Sequence, residues 1–458
     1  MPTGPRTALG RSPRRPVHGP RTPARFLVLA YCTVIAAGTA VLATPLAQAG
    51  AGESDLLAAF FTAASAGTVT GLTVVDTPSF WTPLGHVAIL VLVQIGGLGI
   101  MSSASLLGLL TLRRFGLRTW LTATAETRSI DLGDVRTVVG RVAAISFAVE
   151  GAIAVVLAVR LARAYDMDPL RALWHGVFHG VSAFNNAGFA LYSDSLARFG
   201  TDPWVLVPVA VGVLLGGFGF PVLFELSREL RRPRAWSLNT VLVLWGTAVL
   251  VPAGWVLITA LEWTNPQTFG PYSTGRTIGT GAFEALMPRS AGFSTVDWAD
   301  VSPATLLVGD VLMFIGAGSG GTGGGIKITT FAVLFFVIYA EARGESAVNA
   351  FGRRLPRSVH RQAISVALLA IGAVISATLA MIVLSEASME RALFEVISAA
   401  TTTGLSTGLS AEAPVPAQLL LAVVMLLGRI GPITVATALA LRRRTRLYEL
   451  PEERPVIG

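Results

Sequence analysis

The sequence predicts an all-α polytopic membrane protein in which four tandem repeats, each a helix, a re-entrant pore loop and a second helix, surround one pseudo-fourfold pore with eight transmembrane helices. Three observations predict it: too little charge for water-soluble domains, apolar runs of bilayer length at eight places, and a glycine-bearing segment that recurs four times in register. Of 458 residues, 52% are hydrophobic and 14% charged, against roughly 25% charged in soluble domains, and mean hydropathy is +0.64. Such a surface cannot cover several soluble globules. The single cysteine, Cys32, rules out an intramolecular disulfide. A net charge of +8 would suit nucleic acid in a soluble protein. Here Lys327 is the only lysine, the arginines cluster beside apolar runs, and no aromatic-interleaved basic motif occurs, so no nucleic-acid partner is expected.

A crossing helix needs roughly 20 apolar residues, and the chain offers runs at about 26–46, 84–112, 142–163, 203–226, 238–261, 304–340, 362–385 and 414–441. The first lacks a small-residue cleavage site and reads as a retained span. Arginines recur after every second span, at Arg113, Arg114 and Arg118, at Arg228, Arg231, Arg232 and Arg234, at Arg343, Arg353, Arg354 and Arg357, and at Arg442, Arg443, Arg444 and Arg446. The alternate connections carry more acid, including Asp55, Asp166, Asp297 and Glu412. The positive-inside rule then puts both termini in the cytoplasm. The Pro/Arg-rich residues 1–25 read as a disordered basic cytoplasmic tail. Between paired spans lie helix patterns too short to cross, at 54–66, 168–183, 275–287 and 388–400, which read as re-entrant segments. The resulting organisation is a tail over 1–25, repeats over 26–113, 140–230, 238–343 and 362–441, and a cytoplasmic C-terminal tail over 442–458.

Self-comparison carries the functional reading. Thr68-Val69-Thr70-Gly71, Asn185-Asn186-Ala187-Gly188, Arg289-Ser290-Ala291-Gly292 and Thr401-Thr402-Thr403-Gly404 each follow a short helix, with glycines 117, 104 and 112 residues apart. A second glycine cluster, at Gly96, Gly216, Gly316 and Gly428, follows 25, 28, 24 and 24 residues later and is expected to kink the closing helix of each unit. Backbone that aims successive carbonyls at an axial ion needs φ values open mainly to glycine. Short helices ending just before it direct their partial negative charge at the cavity, which favours a cation. Carbonyls without a carboxylate ring favour a dehydrated monovalent ion such as K⁺.

This fourfold pattern, with one glycine per loop at Gly71, Gly188, Gly292 and Gly404, resembles the Trk/Ktr/HKT superfamily of potassium transporters over residues ~25–458. Eight spans and the ending Pro451-Glu452-Glu453-Arg454-Pro455-Val456-Ile457-Gly458 are most similar to the Ktr-type membrane subunit. The resemblance implies a K⁺-conducting subunit of a bacterial plasma-membrane uptake system. It also implies a homodimer seated on a cytoplasmic ring of RCK-type regulatory proteins that bind adenine nucleotides. The Arg-rich stretch 341–361 offers surface for that ring.

Repeat three departs from the others at Gly316-Ala317-Gly318-Ser319-Gly320-Gly321-Thr322-Gly323-Gly324-Gly325-Ile326-Lys327. Seven glycines in ten residues cannot hold a helix, since each costs ~1 kcal/mol relative to alanine, so the sixth span should break here. No strand precedes Gly316-x-Gly318-x-x-Gly321, which excludes a dinucleotide site. The resemblance implies that this stretch is an intramembrane gate beneath the filter. Arg429, mid-span in Gly428-Arg429-Ile430-Gly431-Pro432, is implied to be an electrostatic barrier and a donor to the loop's carbonyls. Lys327 either joins that gate or snorkels to the cytoplasm.

Glu150 and Asp310 interrupt spans, which leaves pairing with arginines, a packing or folding role and ion coupling all open. Glu284 and Glu395 occupy matching places in two short helices, as vestibule charges or solvated ones. His175 and His179 have i, i+4 spacing but no accompanying glutamate or cysteine motif for a metal. No nucleophile and base assemble, so the protein is not expected to be an enzyme. The chain itself calls for no cofactor, only K⁺ at the filter. The main alternative is a Na⁺-coupled or Na⁺/H⁺-coupled K⁺ symporter, with Na⁺ as coupling ion.

Overall fold

The computed structural model describes residues 22–50, 54–114 and 135–441. Residues 1–21 of the expected tail, Arg118, and the C-terminal tail over 442–458 with Arg442, Arg443, Arg444 and Arg446 lie outside the described residues, while residues 22–25, expected to be disordered, already belong to the first helix.

Helices occupy all eight expected span positions, and a short helix lies within each repeat. Repeat one comprises α1 (Thr22–Leu42), the short α2 (Leu56–Thr68) and α3 (Pro83–Arg114). Repeat two comprises α4 (Val135–Ala164), the short α5 (Pro169–Phe184), α6 (Pro203–Phe218) and α7 (Phe220–Glu229). Repeat three has α8 (Leu238–Glu262), the short α9 (Thr274–Leu286), α10 (Pro303–Ile315) and α11 (Ile328–Ala342). Repeat four has α12 (Arg357–Ser385), the short α13 (Met389–Ala400) and α14 (Val415–Leu441). Four helices are long and apolar enough to cross singly, over Pro83–Ser102, Val138–Ala164, Leu238–Glu262 and Arg357–Ser385, and α6 with α7 forms a fifth candidate bent by 101°.

The short helices have 13, 16, 13 and 12 residues, or roughly 18–24 Å at 1.5 Å per residue, less than the ~30 Å hydrocarbon core. Asp55 and Asp168 start two of them by accepting from the Ala58 N–H at 2.9 Å and the Leu170 N–H at 3.1 Å, which satisfies amides that have no partner in the first turn. Each short helix packs on the first long helix of its repeat, and the repeats meet in chain order, with α14 closing the ring onto α2. Bulky apolar side chains stay outside: Ile364, Leu368, Ile371, Ile375, Leu379 and Val383 form an exposed stripe at helical spacing on α12. In a bilayer that stripe faces lipid.

The second glycine cluster does not kink every unit. α3 and α14 run through Gly96 and Gly428 as continuous helices. Their glycines instead admit the end of the neighbouring short helix: a Cβ built on Gly96 would lie 2.3 Å from the Gly67 carbonyl oxygen, and one on Gly428 would lie 2.1 Å from the Ala400 oxygen. Gly428→Ala is therefore expected to destabilise the protein by ~1–3 kcal/mol through overpacking, read as a shorter thermal half-life in detergent. Gly151→Ala, whose Cβ would meet nothing within 4 Å, should not shorten it.

Candidate pore and gate

The four segments between short helix and outer loop meet at one point. A Cβ on Gly71 would lie 2.2 Å from the Ala187 oxygen and 3.3 Å from the Gly188 Cα. One on Gly188 would lie 2.9 Å from the Gly292 Cα, one on Gly292 3.3 Å from the Gly404 Cα, and one on Gly404 3.0 Å from the Gly71 Cα. The ring thus closes in chain order. All four glycines have positive φ, at 93°, 70°, 73° and 91°, which a Cβ would oppose. The carbonyls of Thr70, Ala187, Ala291 and Thr403 each lie against the glycine of an adjoining loop.

Two residues earlier, Val69, Asn186, Ser290 and Thr402 also have positive φ, at 57°, 58°, 69° and 49°. Strain of this kind, of order 1–3 kcal/mol per residue, persists only where the surroundings enforce it. The enforcing groups sit one layer behind. The Gly71 and Gly404 N–H groups donate to Ser65 Oγ and Ser398 Oγ, both at 3.0 Å, and Ser182 Oγ donates to the Phe189 oxygen at 2.8 Å. Sequence reasoning missed these serines, although each stands six residues before its glycine; repeat three has Leu286 there. Thr68 pairs with Thr70, and Thr401 with Thr403, each at 2.8 Å. Arg289 belongs to its segment through the backbone alone, for its guanidinium turns behind the loop to Thr247 Oγ1 at 3.2 Å.

The glycine run does break repeat three, between α10 and α11. It folds up beneath the ring. The Gly324 N–H donates to Ser290 Oγ at 2.7 Å, and Ser290 Oγ lies 2.9 Å from the Thr402 oxygen. Thr322 Oγ1 donates to Asn186 Oδ1 at 3.0 Å and to the Phe184 oxygen at 3.2 Å. Gly323 lies against Ser290, and Gly316 against Gly325. Repeat two breaks as well, at Gly219, to receive this loop: the Gly318 N–H donates to the Gly217 oxygen at 2.8 Å, the Thr322 N–H to the Gly216 oxygen at 3.1 Å, and the Phe220 N–H to the Gly320 oxygen at 3.3 Å. Gly321 also packs on the Gly217 backbone. Lys327 Nζ donates to the Gly323 oxygen at 2.5 Å and Ser319 bonds Thr329 at 2.7 Å, both within or beside the loop. Arg429, 3% exposed, donates through Nη1 to the Thr322 oxygen and through Nη2 to the Gly96 oxygen at 3.5 Å. One guanidinium thus spans the loop and repeat one.

The structure narrows two open readings, for Glu150 and Asp310, and corrects one expectation, for Glu284 and Glu395. Among the described residues Glu150 pairs with no arginine; its Oε1 accepts from Asn185 Nδ2 at 3.0 Å and Gln94 Nε2 at 3.1 Å, holding a ring segment from behind. Asp310 is buried, with no hydrogen bond to Oδ1 among the described residues. Glu284 and Glu395 are neither vestibule charges nor solvated, being 1% and 0% exposed, because they accept hydrogen bonds from the loops that leave the ring. Among the described residues no group of three or more His, Cys, Asp or Glu side chains is placed to hold a metal.

Four loops converging on one axis in a single helical chain define a pore-loop membrane protein. The chain matches the TrkH family of cation transport proteins over residues 13–445 and belongs to it. It is 34% identical over 419 residues to Ktr system potassium uptake protein B of Bacillus subtilis (strain 168), covering 92% of this chain and 93% of that one. It is 35% identical over 444 residues to Ktr system potassium uptake protein B of Vibrio alginolyticus, covering 95% and 94%. Its fold resembles the crystal structure of the potassium transporter TrkH from Vibrio parahaemolyticus, with a TM-score of 0.69 and 21% identity over 92% of this chain and 86% of that chain.

Proposed function

We propose that this chain is the K⁺-conducting subunit of a Ktr-type uptake system in a bacterial plasma membrane, with both termini cytoplasmic. K⁺ enters from outside and exchanges water for the carbonyls beside Gly71, Gly188, Gly292 and Gly404. The observation that carries this reading is the ring of positive-φ glycines closed by four loops of one chain. No carboxylate belongs to the ring segments, and carbonyl dipoles without a fixed anionic ring suit a monovalent ion that gives up its water. The potassium uptake named for its Ktr relatives supports K⁺ as that ion. Below the ring, residues 316–327 obstruct the path and Arg429 adds a cationic barrier. Inward movement is driven by the membrane potential, worth ~2.3 kcal/mol per charge per 100 mV. The same resemblance supports a homodimer on a ring of RCK-type nucleotide-binding subunits.

Rescue of a K⁺-uptake-deficient bacterium at micromolar K⁺, with Rb⁺ uptake measured alongside, tests the reading. The expected result is rescue by the wild type and loss of K⁺ over Na⁺ preference in Gly71→Ser. Absence of rescue by a well-expressed wild type would overturn it. Uptake that requires Na⁺ in the medium and carries Na⁺ with it would establish the symport alternative instead.

A further inference from the structure

The four short helices share a feature that the pore proposal leaves unused. A buried phenylalanine is followed by one polar residue in each: Phe61-Thr62, Phe178-His179, Phe283-Glu284 and Phe394-Glu395. In three repeats that polar side chain reaches the same backbone group, the N–H three residues past the ring glycine. His179 Nε2 accepts from Leu191 at 3.3 Å, Glu284 Oε1 from Thr295 at 2.6 Å, and Glu395 Oε2 from Thr407 at 3.3 Å. His179 Nδ1 faces the His175 oxygen at 2.7 Å, so Nδ1 carries the proton and Nε2 is free to accept. Trp298 Nε1 adds a bond to Glu284 Oε2 at 2.9 Å, and the Ser410 N–H one to Glu395 Oε1 at 3.0 Å.

Repeat one lacks the contact. Thr62 is too short, and its buried hydroxyl makes no hydrogen bond among the described residues. The outgoing strand of that repeat is held from repeat four instead, where Ser410 Oγ donates to the Thr73 oxygen at 3.0 Å. Ser410 is itself fixed by Glu395.

We infer that His179, Glu284 and Glu395 are positioning residues for ion selectivity, buried braces that tie the outgoing side of each ring segment back to its short helix, with Glu395 serving repeats four and one together. The inference rests on the pore reading above. Each ring segment is anchored upstream by the covalent chain. Downstream, the brace acts beside a few single hydrogen bonds, from Ser182 to the Phe189 oxygen in repeat two, from Ser294 to Ser195 Oγ in repeat three and from Arg391 to the Thr407 oxygen in repeat four. On the snug-fit account, a carbonyl ring discriminates ions of different radius to the extent that its members resist moving together, and Glu395 gathers donors from Ser406, Thr407 and Ser410 at once and through Ser410 reaches repeat one. Glu395 therefore matters most.

The test uses the full chain in proteoliposomes, with the Rb⁺/Na⁺ uptake ratio and amide hydrogen exchange measured for Glu395→Gln, Glu284→Gln and His179→Gln. A glutamine at 395 keeps one acceptor oxygen but turns an NH₂ toward donors that need acceptors. The ratio is expected to fall about tenfold, with faster exchange over 72–75 and 405–410. Glu284→Gln should speed exchange over 293–298 alone. Glutamine at 179 can donate and accept as the neutral imidazole does, so His179→Gln should keep the ratio within about twofold. Unchanged exchange over 405–410 in Glu395→Gln would overturn the brace. Faster exchange there with an unchanged ratio would overturn its role in selectivity. A wild type that takes up no Rb⁺ would sink the transport reading, while exchange would still decide the brace. Should Glu395→Gln fail to insert, Ser410→Ala decides, with faster exchange expected over 72–75 and none overturning the link.

Discussion

Gly292→Ala is expected to abolish K⁺ preference, lowering the K⁺/Na⁺ uptake ratio by more than about tenfold while leaving membrane insertion intact. Two independent costs meet at this position. Its φ of +73° is unfavourable for any L side chain, at ~1–2 kcal/mol. Its new methyl would sit 2.5 Å from the Thr403 oxygen, 3.1 Å from the Gly188 Cα and 3.3 Å from the Gly404 Cα. Those atoms are backbone of the two adjoining loops, so none can yield without moving a carbonyl of the ring. A total of ~1.4 kcal/mol of distortion that falls unequally on two ions is already tenfold. Rb⁺ uptake into proteoliposomes, competed with K⁺ or Na⁺, measures it, and Gly372→Ala on α12, where nothing lies within 4 Å of a new Cβ, is the control. An unchanged preference in the inserted Gly292→Ala protein would show that ion choice is made elsewhere.

The repeat was legible because glycine at a positive φ cannot be replaced cheaply, so spacing in the chain records geometry at the axis. The short helices were legible too, since a 12- to 16-residue apolar pattern between charged connections cannot cross a bilayer. What the sequence hid was decided by contacts between repeats. Gly96-Gly97-Leu98-Gly99 and Gly216-Gly217-Phe218-Gly219 have the same pattern, yet the first lies in one continuous helix and the second ends α6 in a 101° bend. The difference is Pro221 together with the loop of repeat three. Proline has no N–H to offer the Gly217 carbonyl four residues back, and that carbonyl accepts from Gly318 instead. Glu284 and Glu395 misled for a related reason. A glutamate on a short amphipathic helix reads as solvated until the loop that covers it is placed, and that loop folds back from beyond the ring.

Arg429→Ala is expected to raise ion flux about tenfold or more at unchanged expression, because it removes both a tether and a charge. The guanidinium donates to the Thr322 oxygen on the loop and to the Gly96 oxygen on α3, where the Tyr31 hydroxyl also donates at 3.3 Å. A hydrogen bond from a charged donor contributes ~1.5–3 kcal/mol, so its loss shifts a closed-to-open balance by roughly 10- to 100-fold if the open loop makes no such bond. The other anchors of the loop, Ser290 to Gly324 and Thr322 to Asn186, remain and limit the shift. Arg429→Lys separates the two contributions. Lysine keeps the positive charge but lacks the planar fork that reaches two carbonyls at once. Flux raised in both variants assigns the gain to the tether, and flux raised only in Arg429→Ala assigns it to the charge. Stopped-flow flux into proteoliposomes reads the difference, and a fall or no change in Arg429→Ala would mean that the arginine supports the path and does not bar it.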